Sequence, residues 1–482
     1  MRLKNIFSIT LFLLLGFIIQ GCSDSDKADA TRLTVVRNNA EINQLTFSVG
    51  SGSAIIGIQS DGDWTAESSD TTWCKLAVHA GYGYADSLKN SYTKVSVTKN
   101  EGEARQTTIT VKAGGLTKLI TVSQKGTGTD PGDTFMSAFT FVDNMVIGYN
   151  LGNTLDSNPY GDWWNPEGKT PVEWETQWGQ PETTQEIIDA IAAKGFNVIR
   201  VPVTWGPHMD ANDNVDPAWM NRVEQVVKMV LQAKCYCILN VQHDSGDAAN
   251  SWLRADLSKY PEISTRFKKL WQQIASHFKN YDDHLAFEAF NEILSASGEW
   301  GDPADASCYE AVNKLEQDFV DVVRATGGNN EFRNLLVNPY SSGSTDARLA
   351  GMQLPQDKHS NHLMCSIHCY DPYWFCNDSN DETAQQYYIT VFNDDCKKEI
   401  DAIFARVHKR FSEDFGVPYF YGEFGAIGTH PAMNERIAYA KYMVSKFKAY
   451  NTTGLWWMGL IDRRSLNWYE SEIVDALMNG IK

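Results

Sequence analysis

At 482 residues, with 43% hydrophobic and 21% charged side chains, the chain is long enough for two or three domains and at least one large core, which excludes a wholly disordered or collagen-like protein. Sixty acidic against 42 basic residues leave a formal charge of −18. That charge repels phosphate backbones, so no nucleic acid is expected as a partner and neutral or basic ligands are favoured.

From the N-terminus, Arg2 and Lys4 precede an apolar run over 6–19 and then Gly21-Cys22, the charge, core and small-residue pattern of a signal peptide. The run is short for a membrane span, and no later stretch approaches ~20 uninterrupted apolar residues, so the expected protein is exported without crossing a bilayer. Ile19-Gln20-Gly21-Cys22 resembles a bacterial lipoprotein cleavage site, which implies a signal over 1–22 and lipid on Cys22. The acidic stretch 23–30 resembles the tether of surface lipoproteins in Bacteroides-like bacteria. Together these imply attachment to the cell outer membrane by lipid only, with the protein exposed at the surface; the competing reading is a secreted protein with an incidental Cys22. Of the remaining cysteines, Cys376 and Cys396 lie in a polar stretch and are the first candidates for a disulfide. Cys365, His368 and Cys369 contain no CxxC pair, and no metal is expected.

Over 31–126 short alternating runs at 45–49, 94–97, 108–111 and 119–123 predict half-buried strands and a small all-β immunoglobulin-like sandwich. Asp61-Gly-Asp-Trp64, Trp73, Asn100, Arg105 and Thr121-Val-Ser-Gln-Lys-Gly126 resemble the BACON domain, found beside carbohydrate-active enzymes in gut bacteria. No chemistry is apparent in it, Trp64 and Trp73 are expected in its core, and a spacer role is expected.

Residues 127–134 form a Gly/Pro/Thr linker, beyond which the hydrophobic period changes from two to 3.6. Thr183 with Glu186 predicts a capping box for a helix closed by Gly195, and Asp216-Pro217 predicts the start of the next. Apolar strands are predicted at 145–151, 197–203, 235–241, 285–290, 335–339, 363–368, 419–422 and 454–458. Eight strands separated by helices over 135–482 predict an α/β fold, a (β/α)8 TIM barrel; a doubly wound sheet would carry a Gly-rich phosphate fingerprint, which Gly148-Tyr-Asn-Leu-Gly152 is not.

In such a barrel the C-terminal ends of the strands converge on one pocket. The fourth strand ends at Asn291-Glu292 and the seventh at Glu423, so two carboxyls face one rim. Glycosidic hydrolysis needs such a pair, one protonated and one charged, and a spacing of ~5 Å implies retention.

Seven motifs then carry a specific resemblance: Gly148-Tyr-Asn-Leu-Gly-Asn-Thr-Leu-Asp156, Asn197-Val-Ile-Arg-Val-Pro-Val-Thr-Trp205, Leu239-Asn-Val-Gln-His-Asp244, Phe287-Glu-Ala-Phe-Asn-Glu292, Ser366-Ile-His-Cys-Tyr370, Tyr421-Gly-Glu-Phe-Gly425 and Leu455-Trp-Trp457. Residues 135–480 are similar to a retaining glycosidase of glycoside hydrolase family 5, close to its endo-β-1,4-glucanase and xyloglucanase branch. The resemblance implies that Glu292 is the acid/base and Glu423 the nucleophile. It implies that Asn291 binds the sugar 2-hydroxyl, Arg200 holds Glu423 ionised, Tyr370 donates to Glu423, and His368 orients the acid side. Trp457 is the implied stacking platform, with Trp456 pointing away by strand alternation.

Two departures stand out: Gln242-His243 where relatives often carry two histidines, and Met458-Gly459 where many carry an acid and Asn. His243 is kept as a substrate-binding candidate, and Trp163, Trp252, Trp300 and Trp374 as rim aromatics. The expected protein is a monomeric endo-glucanase acting on a β-glucan polysaccharide or oligosaccharide without cofactor, with a xyloglucan-specific enzyme and a non-catalytic polysaccharide-binding lipoprotein as alternatives.

Overall fold

The computed structural model describes residues 30–37, 40–47, 51–83, 91–126, 135–159, 165, 167–377, 382–428 and 430–481. Residues 1–29, with the expected signal, Cys22 and the expected tether short of residue 30, the expected linker 127–134 and Trp163 lie outside the described residues.

Among the described residues ten strands build the first unit: β1 (Leu33–Arg37), β2 (Ala40–Glu41), β3 (Gln44–Phe47), β4 (Gly52–Ser60), β5 (Trp64–Ser68), β6 (Cys74–Leu76), β7 (Ala80–Gly81), β8 (Ser91–Val97), β9 (Arg105–Ala113) and β10 (Leu116–Gln124). They form two five-stranded sheets, ordered β2-β1-β4-β8-β6 and β3-β10-β9-β5-β7. The alternation that predicts these strands decides which side chains meet between the sheets: Thr107, Ile109, Val111 and Ala113 of β9 point inward. Trp64 and Trp73 are buried in this core, and the Arg105 guanidinium lies 4.5 Å over the Trp73 ring.

The second unit is a closed parallel barrel of β11 (Gly148–Asn150), β12 (Val198–Val201), β13 (Tyr236–Leu239), β14 (Leu285–Glu288), β15 (Leu335–Val337), β16 (Leu363–Cys369), β17 (Tyr419–Phe424) and β18 (Gly454–Trp457), with β18 pairing back to β11. All eight predicted strands form. Most stop short of their apolar runs because the final residues leave the ladder and enter the loops of the upper rim; β17 runs longer and carries Glu423 within it.

Around and between the strands lie α1 (Ala138–Asn144), α2 (Pro171–Thr176), α3 (Gln185–Ala193), α4 (Pro217–Gln232), α5 (Tyr260–Phe278), α6 (Ser307–Ala325), α7 (Asp346–Gly351), α8 (Tyr373–Cys376), α9 (Asp394–His408), α10 (Met433–Tyr450) and α11 (Ser471–Ile481). Asp216 caps α4 with Pro217 at its first position, as the sequence indicates. The predicted capping box is displaced: Thr184 is the N-cap of α3, because the Thr183 N–H donates to the buried Glu175 Oε1 at 2.8 Å. A complete capping box forms instead at Thr170 and Glu173, before α2.

The lower mouth of the barrel is plugged by α1. Ala138, Phe141, Val142 and Met145 pack against Val198, Ile238, Ala286, Leu336, Met364, Phe420 and Leu455 from seven strands, each large buried side chain being worth roughly 2–3 kcal/mol. The sandwich sits on this plug: Thr140 Oγ1 donates to the Ser51 carbonyl at 2.7 Å, and Asp143 Oδ1 accepts from Lys94 Nζ at 2.5 Å and from Asn451 Nδ2 at 3.3 Å.

The Cys376–Cys396 disulfide does not form. All eight described cysteines are free and buried; Cys376 Sγ donates to the Asp371 carbonyl at 3.4 Å and Cys396 Sγ to the Val391 carbonyl at 3.8 Å. Their polar sequence surroundings conceal side chains that fill the core beside Phe375 and Phe392.

Candidate active site

Arg200 is the hub of the upper mouth. Fully buried on β12, it spends its rigid donor fork on four acceptors: Nε to Glu288 Oε2 at 2.6 Å, Nη1 to Glu423 Oε1 at 2.7 Å and to Asn150 Oδ1 at 3.0 Å, and Nη2 to Asn291 Oδ1 at 2.9 Å. Because a guanidinium only donates, Asn291 must turn its Oδ1 toward Arg200, which leaves its Nδ2 as the group it can offer to a ligand in the cleft.

Glu423 also accepts from the Tyr370 hydroxyl, 2.8 Å from Oε2. Burial pushes its carboxyl pKa up, but the charges of His368 and Arg200 and the Tyr370 hydrogen bond outweigh burial and hold it below the ordinary value. Glu292, carried just beyond β14, meets His368 Nδ1 at 2.6 Å through Oε1 and is the more open acid, its side chain 20% exposed against 6% for Glu423. Burial works against a charged His368 ring, yet Glu423 and Glu292 prevail and raise its pKa. His368 Nε2 is buried without a hydrogen-bond partner, so the ring's hydrogen bond is the one its Nδ1 shares with Glu292 Oε1. Ligand atoms of Glu292, His368 and Glu423 all lie within 4.8 Å of one another, which leaves the two carboxyls at the spacing of a retaining pair, ~5 Å, rather than the wider gap of an inverting one.

Two glycines make room for this arrangement. A Cβ on Gly422 would lie 2.4 Å from Ser366 Oγ and 3.4 Å from His368 Nε2, and one on Gly152 would lie 3.0 Å from two atoms of the Trp457 ring. Trp457 lines the cleft, whereas Trp456 is buried against Phe424, as strand alternation indicates. Arg463 braces this end of the barrel, donating through Nη1 to the Gly152 carbonyl at 2.9 Å and through Nη2 to the Tyr149 hydroxyl at 3.2 Å.

The structure thus gathers Arg200, Asn291, Glu292, His368, Tyr370, Glu423 and Trp457 at one cleft of about 550 Å³. His243 stands at the junction of that cleft with a smaller cavity of about 290 Å³, its Nε2 3.9 Å from the buried Asp156 Oδ2. Gln242 also lines the cleft, its Oε1 committed to Asn240 Nδ2 at 2.5 Å. Of the rim aromatics only Trp300 lines the catalytic cleft among the described residues. Trp252 faces the smaller cavity, its Nε1 donating to Asp244 Oδ1 at 2.6 Å, and Trp374 packs into a cluster with Tyr373 and Tyr387. Sequence reasoning missed Asn150, Glu288 and Asn338; each lies in or beside a strand buried on both faces, where polar residues at inward positions are the available signal.

A closed (β/α)8 barrel with a tuned carboxyl pair at the C-terminal ends of its strands is the architecture of a retaining glycosidase. The family model described as Cellulase (glycosyl hydrolase family 5) matches residues 165–460, and the BACON model, described as a putative binding domain, N-terminal, matches residues 62–125. The chain belongs to glycosyl hydrolase family 5. It is 32% identical to Endoglucanase A of Clostridium longisporum over 72% of this chain, and spans 66% of that relative's length. It is 28% identical to the xyloglucan-specific endo-beta-1,4-glucanase of Bacteroides ovatus over 99% of this chain and 97% of that protein. A family 5 enzyme of Prevotella bryantii B14, solved with a xyloglucan tetradecasaccharide, superposes with a TM-score of 0.66 at 39% identity, covering 72% of this chain and 100% of that one.

Proposed function

We propose that the chain is an endo-β-1,4-glucanase that hydrolyses β-1,4-glucan polysaccharide with retention, Glu423 serving as nucleophile and Glu292 as acid/base. The observation that carries this reading is the asymmetry of the two carboxyls: Glu423 is buried and held by Arg200 and Tyr370 as an anion, while the more open Glu292 has His368 as its partner. Glu423 attacks the anomeric carbon as Glu292 gives its proton to the departing glycosidic oxygen. Glu292 then takes a proton from water, which resolves the glycosyl ester on Glu423. Asn291 Nδ2 donates to the 2-hydroxyl, a contact that strengthens as positive charge grows at the anomeric carbon, and Trp457 supports the ring from below. The cycle needs two carboxyls and one water, and no cofactor.

A xyloglucan-directed endo-glucanase is the second reading. It is favoured because the Bacteroides ovatus relative, named for that activity, matches over both domains. A polysaccharide-binding protein without catalysis would gain nothing from an ionised nucleophile held beside an acid. The proposal extends to localisation: a monomer tethered to the outer membrane by lipid on Cys22, a reading supported by the leader pattern.

The test is reducing-end release by the chain lacking residues 1–22 from carboxymethylcellulose, xyloglucan, barley β-glucan, mannan and xylan. Fast release from one β-1,4-glucan, lost by at least about 1,000-fold in Glu423→Gln with binding retained, is the expected result. Release from none, or an active Glu423→Gln, sinks the reading.

A further inference from the structure

Glu288 is a third carboxylate at the reaction centre, fully buried on β14 four residues before Glu292, and no step above uses it. We propose that Glu288 is a positioning residue: it anchors Arg200 so that one guanidinium serves Glu423 and Asn291 together, and its charge limits how far Arg200 suppresses the basicity of the nucleophile. The inference rests on Glu423 being that nucleophile.

The geometry of Arg200 sets the argument. Its Nε contact with Glu288, 2.6 Å, is the shortest of its four, and both side chains are excluded from solvent. With Nε held on Glu288 and Nη2 on Asn291, the fork gives Glu423 one N–H bond from Nη1 and not two parallel ones. Glu423 therefore receives Nη1 on Oε1 and keeps Oε2 for Tyr370, while Nη2 is free to hold Asn291. Were Arg200 to pair with Glu423 alone, it would stabilise the anion more than the ester-forming transition state and would release Asn291 from the orientation that presents its Nδ2.

Glu288 is itself held from behind. Asn338 Nδ2 donates to its Oε1 at 3.2 Å, and the Asn338 backbone N–H donates to Glu316 Oε1 at 2.6 Å, from helix α6 outside the barrel. A chain of contacts thus runs from the helical layer through Glu316, Asn338, Glu288 and Arg200 to Glu423. Glu288 does not line the cleft, so it acts on substrate only through Arg200.

The charged and titratable groups facing Glu423 are Arg200 from β12, with Glu288 behind it on β14, Glu292 beyond β14, and His368 and Tyr370 from β16 and the residue that follows it. Replacing Glu288 alone by a neutral isostere leaves Arg200 and His368 acting on Glu423 with one like charge fewer. Glu423 then stays ionised to lower pH and attacks less readily.

The experiment compares pH profiles of the natural chain and Glu288→Gln on the glucan it cleaves fastest. The expected result is a loss of about ten-fold or more in kcat with KM changed by about two-fold at most, and an acid limb of kcat/KM displaced to lower pH by roughly half a unit or more. A merely structural role would lower the folded fraction and leave the limb in place. An unmoved limb, or a kcat loss no larger than the loss of folded protein by thermal melting, overturns the inference. If Glu288→Gln fails to fold, Asn338→Ala removes the support of Glu288 while keeping every charge; a reduced kcat at an unmoved acid limb is then expected, and a natural kcat overturns the inference. Failure of the underlying reading looks different, since it leaves the natural chain inactive on every glucan or Glu423→Gln active.

Discussion

Among the described residues the hydroxyl of Tyr370 is the one neutral donor on Glu423, and its removal isolates how much of the acidity of Glu423 comes from a hydrogen bond rather than from charge. In Tyr370→Phe the buried carboxylate loses a partner on Oε2 and keeps Arg200 on Oε1, so its protonated form becomes easier to populate. Because Glu423 is held below the ordinary glutamate value of about 4.3, activity in the natural chain should persist below that pH and fall only as Glu423 takes a proton. Tyr370→Phe should move this acid limb upward, opposite in sign to Glu288→Gln, and lower kcat by about ten- to a hundred-fold. Rate profiles of the two variants against pH read both signs, and displacement in the same direction would mean that the limb does not report Glu423.

At the scale of elements, the Glu292 side of the cleft is a set of loops stapled by one arginine. Arg348 of α7 donates through Nη2 to the Trp300 carbonyl at 2.5 Å, through Nε to Asp302 Oδ1 at 2.7 Å and through Nη1 to Ser341 Oγ at 2.8 Å, joining the loops after β14 and β15. Trp300, 47% exposed and lining the cleft, gives Nε1 to Asp247 Oδ2 at 3.2 Å and leaves its ring to solvent. Such a ring adds little to the core and offers a flat face to a sugar beyond the scissile bond. Trp300→Ala should therefore raise KM on polysaccharide by about ten-fold and leave Tm and the hydrolysis of a short aryl glycoside within about two-fold; equal losses on both substrates would remove it from that role. The eight strands were legible because each is a short apolar run between turn residues. The two acids were legible because barrel geometry sends strand ends to one rim. What stayed hidden depends on contacts distant in sequence. Glu288 lies in a strand buried on both faces, where alternation separates nothing; Thr183 lost its cap to Glu175; and a tryptophan in a loop does not reveal whether Asp244, a tyrosine or water will meet it.

Across the whole molecule, the sandwich and the active site occupy opposite ends of the barrel, and the path of β4 fixes where the chain enters. Ser51 and Ser53, at the start of β4, meet Thr140 and Asp143 of the barrel plug. At the other end, Ala30 lies against Gly62 and Gly114, close enough that a Cβ on Gly62 would fall 2.8 Å from that of Ala30. Nine residues of β4 separate the two ends, roughly 30 Å at about 3.3 Å per residue. Ala30 therefore lies at the far side of the sandwich, with the barrel plug and then the cleft progressively further from it. Among the described residues, the donors to Glu423 and Glu292 come from the barrel. Cys22→Ala should accordingly lose palmitate labelling and move the protein from the membrane to the soluble fraction, while kcat/KM on dissolved glucan changes by less than about two-fold. Retention in the membrane with labelling abolished would place the anchor elsewhere, and a large fall in kcat/KM would mean that the N-terminal segment acts on the site.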